Sequence, residues 1–239
     1  MLTEIKIRLN ESSFLNVSRI TRDDCNNQSH LIYHPGLAAQ IDSDIQLLSQ
    51  LRIKNIYVIH PRGRGLSSVN SDDYSLNAHT KDLQHIINYL SLNTYSLICY
   101  SYASLYGISL FQFGLKFVPP KRLILCDYPA KEKKLDRTWV DFMSKRYSHL
   151  PRSFYESFAF SSDDSDLSDT LSVIPVPVTL FKGGHAGIPE SLLTDQDLES
   201  YTRHVKTLGV EKFQTGHFFK DHEPDLFIEK IFRLVNYSC

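Results

Sequence analysis

The sequence predicts an α/β fold. Short apolar runs of strand character recur along the chain, at residues 30–33, 56–59, 95–100, 122–126 and 176–181. Between them lie stretches whose apolar residues fall at helical spacing, and no internal repeat interrupts the alternation. At 239 residues the chain suits one large domain with a substantial core.

Residues 3–9 (TEIKIRL) alternate apolar and polar, as an edge or half-buried strand does, and 14–21 read as its antiparallel partner. Arg22–Ser29 is a polar turn. The strand at 30–33 (HLIY) runs into His34-Pro35-Gly36-Leu37, where adjacent Pro and Gly end it sharply. Ile45, Leu47, Leu48 and Leu51 make a helical stripe over 42–51. Residues 56–59 (IYVI) suit a parallel strand buried on both faces. The following loop, Pro61-Arg62-Gly63-Arg64-Gly65, has a G-x-G pair but lacks the third glycine of a dinucleotide site, and Ser67–Ser75 opens no amphipathic helix. A helix comes later, where Leu83, Ile86, Ile87 and Leu90 fall at i, i+3, i+4 and i+7.

Tyr95–Gly107 (YSLICYSYASLYG) begins as a strand and continues as a helix of small and apolar residues that ends near Gly114. Arg122–Cys126 (RLILC) is another buried strand and closes on Asp127. Residues 128–170 break the rhythm. Two short amphipathic pieces, 139–147 and 154–160, precede Ser161–Asp169, which is rich in Ser and Asp. We read an insertion over the end of the sheet with a mobile acidic loop. That loop lacks the Gly and terminal Glu of a calcium-binding EF-hand loop. Val176–Phe181 resumes the sheet, Asp195–Thr207 is a polar helix, and Val210–Gln214 is the last strand, ending at Thr215-Gly216-His217. Pro224 opens a closing helix with Phe227, Ile231, Leu234 and Val235 on one face.

A formal net charge of −1 gives no support for a nucleic-acid surface. The basic run Lys131–Lys134 (KEKK) reads as a solvated loop. No run approaches the roughly 18 apolar residues of a membrane span, and the N-terminus lacks an apolar signal core, so a cytoplasmic protein is expected. Cys25, Cys99, Cys126 and Cys239 have no C-x-x-C pairing and read as reduced thiols, without a disulfide frame or a zinc site. No cofactor or metal is expected.

Ser101 sits where the strand of 95–100 meets its helix. A serine on such a turn is pushed out at the end of the sheet, beside the N–H groups that open the helix. This is the geometry of a nucleophile, but the usual G-x-S-x-G stands here as Cys99-Tyr100-Ser101-Tyr102-Ala103, so a plain strand end is the competing reading.

The order of the parts resembles the α/β-hydrolase superfamily, in its single-domain esterase and thioesterase branch with a small helical cap. Four segments carry the likeness: HPGL at His34–Leu37, PRGRGLSS at Pro61–Ser68, ICYSYAS around Ser101, and TGHFFKDHEPDLF at 215–227. The resemblance implies a mostly parallel eight-stranded sheet flanked by helices, with a core domain of 1–127 and 171–239 and a cap insertion of 128–170. It places a site at the carboxyl ends of the strands.

A serine hydroxyl needs a base, and an imidazole suits neutral pH. Of ten histidines, His217 matches the family position after the last strand. The resemblance places the oxyanion donors on the backbone N–H of Tyr102 and of Leu37, with Gly36 the neighbouring choice, and gives His34 the shaping of that loop. The family acid follows the strand of 176–181 in a G-x-x-D-type turn, but Lys182-Gly183-Gly184-His185-Ala186-Gly187 puts Ala186 there. Either Asp127 supplies the carboxylate, or it merely closes its strand and His217 lacks one; Asp195 and Asp197 are remote substitutes. Gly36, Tyr128, Trp139 and Phe142 are expected at the pocket, the three aromatic residues either meeting substrate or only holding the cap. Arg62 and Arg64 are surface residues or receive an acidic group.

The resulting expectation is a serine hydrolase that cleaves a carboxylic ester or thioester of a small apolar or aromatic acyl group through an acyl-enzyme on Ser101. Its partner is a small-molecule substrate, and the oligomeric state is open. A ligand-binding protein on a degenerate hydrolase scaffold, or a lyase or acyltransferase of the same fold, are the rival readings.

Overall fold

The computed structural model describes residues 1–25, 29–69, 72–112, 114–186 and 189–236. In chain order the elements are β1 (Leu2–Arg8), β2 (Phe14–Thr21), β3 (His30–His34), α1 (Ile41–Leu48), β4 (Asn55–His60), α2 (Leu76–Leu90), β5 (Ser96–Tyr100), α3 (Ala103–Ser109), β6 (Arg122–Cys126), β7 (Lys131–Glu132), α4 (Arg137–Arg146), α5 (Arg152–Ser161), β8 (Ser165–Asp166), α6 (Ser168–Ser172), β9 (Val178–Lys182), α7 (Asp195–His204), β10 (Leu208–Lys212), α8 (Phe219–His222) and α9 (Pro224–Asn236).

Among the described residues the main sheet has eight strands, in the order β1-β2-β4-β3-β5-β6-β9-β10. The β1–β2 and β2–β4 pairs are antiparallel, and every pair from β4 to β10 is parallel. Parallel strands end on the same edge, so the residues after β3, β5, β6, β9 and β10 are delivered to one rim. Side chains alternate across the sheet. Leu97, Cys99, Leu123, Leu125 and Leu180 pack on one face with Leu83 of α2 and Leu105 of α3. Ile98, Tyr100, Ile124, Cys126 and Phe181 pack on the other with Ile41 and Leu48 of α1 and Phe227 and Ile231 of α9. Both faces are covered, which explains why the inner strands read as unbroken apolar runs.

Several boundaries differ from the sequence expectation. Helix α3 ends at Ser109 rather than near Gly114, with 110–112 in turns. Strand β10 spans 208–212, because its register is set by β9, from Leu208 opposite Val178 to Lys212 opposite Lys182. Helix α7 stops at His204, where Val205 turns to extended backbone. The KEKK run is not a solvated loop, and the acidic stretch after Phe160 is not a free one. Lys131–Glu132 pairs with Ser165–Asp166 as a small antiparallel ribbon. Lys134 Nζ donates to the carbonyls of Phe160 (2.9 Å) and Ser162 (2.5 Å), and Lys134 N–H donates to Asp164 Oδ1 (3.0 Å). The chain between β6 and β9 therefore forms one ordered excursion, in which α4 and α5 pack together and bury Phe154 and Phe158.

Cys99 and Cys126 are buried free thiols and Cys25 is a half-buried one; Cys239 and Gly187 lie outside the described residues. Among the described residues no helix is long and apolar enough to cross a membrane.

Cys99, next to last in β5, has room for its sulfur because the helix facing it has no side chain there. A Cβ on Gly107 would stand 2.8 Å from Cys99 Sγ. Replacing Gly107 by Ala gains up to ~1 kcal/mol of helix propensity, but overpacking a closed core costs about 1–3 kcal/mol. Gly107→Ala is therefore expected to lower the urea midpoint, and Cys99→Ala in the same chain to restore most of the loss.

Candidate active site

Ser101 follows β5 directly and takes a left-handed backbone, φ 55°. That conformation costs a non-glycine residue about 1–2 kcal/mol and is held by contacts on either side. The Ser101 N–H donates to the Cys126 carbonyl (2.8 Å), and Ser104 Oγ donates to the Cys99 carbonyl (3.1 Å). The side chain is thereby turned out at the rim, half exposed.

Asp127 follows β6 in the same left-handed conformation, φ 51°, with its N–H on the Phe181 carbonyl (2.8 Å). It has no exposure to solvent. Its Oδ1 accepts from Gly183 N–H (2.9 Å) and Ser191 Oγ (2.5 Å), and its Oδ2 accepts from Leu192 N–H (3.0 Å) and from His217 Nδ1 (2.9 Å). Burial alone would raise its pKa, but hydrogen bonds and charge from His217, with the bonds from Ser191 and Gly183, outweigh burial and lower it below the usual carboxylate value. It is ionised at neutral pH.

His217 follows β10 by a short turn. Its N–H donates to the Pro189 carbonyl (3.1 Å), and its own carbonyl accepts from Tyr100 Oη (2.6 Å). Its ring reaches Asp127 on one side and Ser101 Oγ on the other, Nε2 to Oγ 2.8 Å. Because an ionised Asp127 can only accept, Nδ1 carries the hydrogen. Nε2 is then the acceptor for the serine hydroxyl. The structure thus brings Ser101, His217 and Asp127 into one hydrogen-bonded line, although 116 residues separate the first two.

The turn after β9, where the resemblance puts an acid, instead supplies donors to an acid one strand away. Ala186 makes a bridge to Thr215, and Gly216 N–H donates to its carbonyl (2.5 Å), so this loop is packed against the histidine turn. Asp197 is engaged in capping α7 with Thr194, and Asp195 is an exposed residue 3.8 Å from Lys182 Nζ. Neither joins the site.

On the other flank, Gly36 lies against the serine: a Cβ there would stand 3.2 Å from Ser101 Cβ. Arg64 Nη1 donates to the carbonyls of Gly36 (2.8 Å) and Leu37 (2.5 Å). In a trans peptide C=O and N–H point opposite ways, so the Leu37 N–H is directed away from Arg64. Arg62 and Arg64 are buried rather than on the surface. Arg62 holds Asp82 through Nε (2.7 Å) and Nη2 (2.9 Å), bridging its loop to α2. His34 is buried against Tyr106, its Nδ1 3.0 Å from the Pro35 carbonyl; burial first, then the Arg64 charge, brings its pKa to about 3 despite that bond. It is a neutral ring.

Tyr102 packs against Tyr128 (5.3 Å between ring centres), Phe158 (5.2 Å) and Tyr106 (5.8 Å), and Trp139 stacks on Phe158 at 6.0 Å. Phe142, in contrast to the sequence expectation, is 57% exposed on α4, on the side of the helix turned to water. The open cleft of about 810 Å³ beside α4 and α5, lined by Asp136, Arg137, Arg152, Glu156 and Phe160 among others, includes none of the Ser101 group. Among the described residues no cluster of His, Cys, Asp or Glu is arranged to hold a metal.

The chain is similar to an esterase from Exiguobacterium antarcticum, at 15% identity over 96% of this chain and 98% of that one, with a TM-score of 0.79. It is also similar to a hydrolase from Pseudomonas aeruginosa (15% identity, 99% and 98% covered, TM-score 0.74) and to the thioesterase domain from the curacin biosynthetic pathway (15%, 97% and 99%, TM-score 0.68). This is an α/β-hydrolase fold. No protein-family model matches the chain, and no curated protein does.

Within this α/β-hydrolase fold, sequence reading missed the supporting residues. Ser191, Leu192 and Gly183 hold Asp127, and Tyr100 holds the His217 backbone. The Gly183-Gly184 pair marks a turn in the sequence, but nothing in Ser191 or Leu192 signals that the turn folds back over β6.

Losing the Ser191 bond to a charged group is expected to cost roughly 1.5–3 kcal/mol at pH 7. Because the carboxyl's folded pKa is depressed, that stability is present above the unfolded value of about 3.9 and is lost as pH falls through the folded one. Ser191→Ala is therefore expected to lower the urea midpoint at pH 7, and the difference from the parent to shrink below about pH 4.

Proposed function

We propose that this chain is a serine hydrolase that cleaves a carboxylic ester or thioester through an acyl-enzyme on Ser101. The observation that carries the reading is the line of Asp127, His217 and Ser101, 2.9 and 2.8 Å between successive groups. Nε2 of His217 takes the hydroxyl proton as Oγ attacks the acyl carbon, and the imidazolium is held by the Asp127 carboxylate. The oxyanion is met by the backbone N–H groups of Tyr102, at the start of α3, and Leu37, directed by Arg64. His217 then gives the proton to the leaving group, and a water attacks the acyl-enzyme by the same route in reverse.

The core of 1–127 and 171–239 supplies these groups, and the excursion of 128–170 acts as the cap. Its Tyr128 and Trp139, with Tyr102 and Phe158, form an apolar aromatic wall suited to an acyl or aromatic substrate. The rival binding-protein reading rested on a missing acid and a departing elbow. The Asp127 carboxylate and the Gly107 allowance for Cys99 favour the enzyme over it.

A fluorophosphonate probe is expected to label the parent and not Ser101→Ala, whose hydrolysis of p-nitrophenyl acyl esters falls by on the order of 10⁴ or more. Asp127→Asn is expected to lose about 10⁴ in kcat, since the amide favours the wrong imidazole tautomer. Hydrolysis by Ser101→Ala at the parent's rate would overturn the proposal.

A further inference from the structure

Behind the Gly36–Leu37 loop lies a buried cation that no described carboxylate faces. Arg64 is 4% exposed, and among the described residues no carboxylate pairs with it. One nitrogen, Nη1, is used on the loop carbonyls. Nε and Nη2 are buried, and among the described residues neither has a hydrogen-bond partner. These two lie on the same side of the guanidinium and form the fork that fits a carboxylate edge-on. Arg62, two residues earlier, shows that use of the same two atoms, gripping both oxygens of Asp82.

Two further buried polar atoms, Tyr106 Oη and His79 Nε2, have no partner among the described residues, and both side chains lie close enough to Arg64 to feel its charge. The two rings are stacked at 4.4 Å, and Phe154 of α5 covers the guanidinium at 5.8 Å. An isolated buried charge costs several kcal/mol, and orphaned donors add to that. Keeping four such atoms in one neighbourhood is a poor choice for stability alone. The cluster is also next to the candidate chemistry: Tyr106 is one helical turn along α3 from Tyr102, and Arg64 grips the loop that touches Ser101.

We propose that the Nε–Nη2 fork of Arg64, with Tyr106 Oη and His79 Nε2 beside it, receives a carboxylate carried by the substrate, so that the preferred ester or thioester also bears one free acid group. This rests on the serine-hydrolase reading above. Burial, and next the Arg64 charge, drive the His79 pKa well down, so the cluster holds a single positive charge and matches one carboxylate rather than a doubly charged phosphate.

The test compares matched pairs of substrates in the parent, Arg64→Met, Arg64→Lys and Tyr106→Phe. One set is the monoethyl esters of dicarboxylic acids of four to eight carbons, against ethyl esters of the neutral acids of equal length. A second set is acetate esters of ω-hydroxy acids, against acetates of the neutral alcohols. In the parent, kcat/KM for the acid-bearing member is expected to exceed its neutral partner by on the order of 100-fold at the best length, the scale of a hydrogen-bonded charge. Because Arg64 also directs the loop, its variants are judged by the ratio within a pair. Arg64→Met and Arg64→Lys are expected to bring the ratio toward one, and Tyr106→Phe to lower it several-fold with the neutral ester still cleaved.

A parent that prefers the neutral members at every length, or a ratio that survives in Arg64→Met, would overturn the proposal. So would preference for a phosphonate-ended ester over the carboxylate of equal length. If no ester of any kind is cleaved, the hydrolase reading fails by itself. The fork is then decided by calorimetric titration of Ser101→Ala with the half-esters, where binding that Arg64→Met weakens at least tenfold supports it and absence of binding refutes it.

Discussion

A carboxylate without access to water persists only when donors surround it, and Asp127 is met by His217, Gly183, Ser191 and Leu192. Those donors come from the loops after β9 and β10, while Asp127 itself ends β6 and donates its N–H to the end of β9. One buried charge therefore fixes three loops relative to each other. The imidazole tautomer follows from it, and the tautomer determines which ring nitrogen faces Ser101. Satisfying this charge requires the left-handed backbone at Asp127, a local cost repaid by hydrogen bonds that reach three strands.

The opposite flank is held differently. Ser101 is set by the strand-to-helix turn, and the loop of Gly36 and Leu37 is pulled back by Arg64. The excursion between β6 and β9 is joined to the same place through Tyr102, whose hydroxyl donates to the buried carboxylate of Glu132 at 2.6 Å. Burial raises the Glu132 pKa, and the bond from Tyr102 opposes that rise without cancelling it. The residue next to Ser101 thus connects the core to the ribbon of β7 and β8.

The same architecture accounts for two departures from the motifs that the sequence resembles. Cys99 stands where a glycine is usual, and Gly107 on the facing helix leaves room for its sulfur. Ala186 stands where an acid is usual, and its loop becomes a source of donors for Asp127. In both cases the missing feature is supplied by a neighbouring element in space, not by a neighbouring residue in the chain.

Local rules were enough for the strands 30–33, 56–59 and 122–126, for the turn that presents Ser101, and for the helix opened by Pro224, because periodicity and Pro/Gly punctuation act over a few residues. Local rules were not enough for the ends of α3 and β10, which are set by pairing and packing against distant partners. The burial of Arg62 and Arg64 and the ordering of 161–169 escaped for the same reason: charged residues read as solvated until the carbonyls and carboxylates that receive them are placed. The sequence by itself determined the α/β alternation and put Ser101, Asp127 and His217 at strand ends. Only the tertiary structure decided that those ends share one rim within hydrogen-bond reach, because strand order and register are set by long-range pairing that no local pattern encodes.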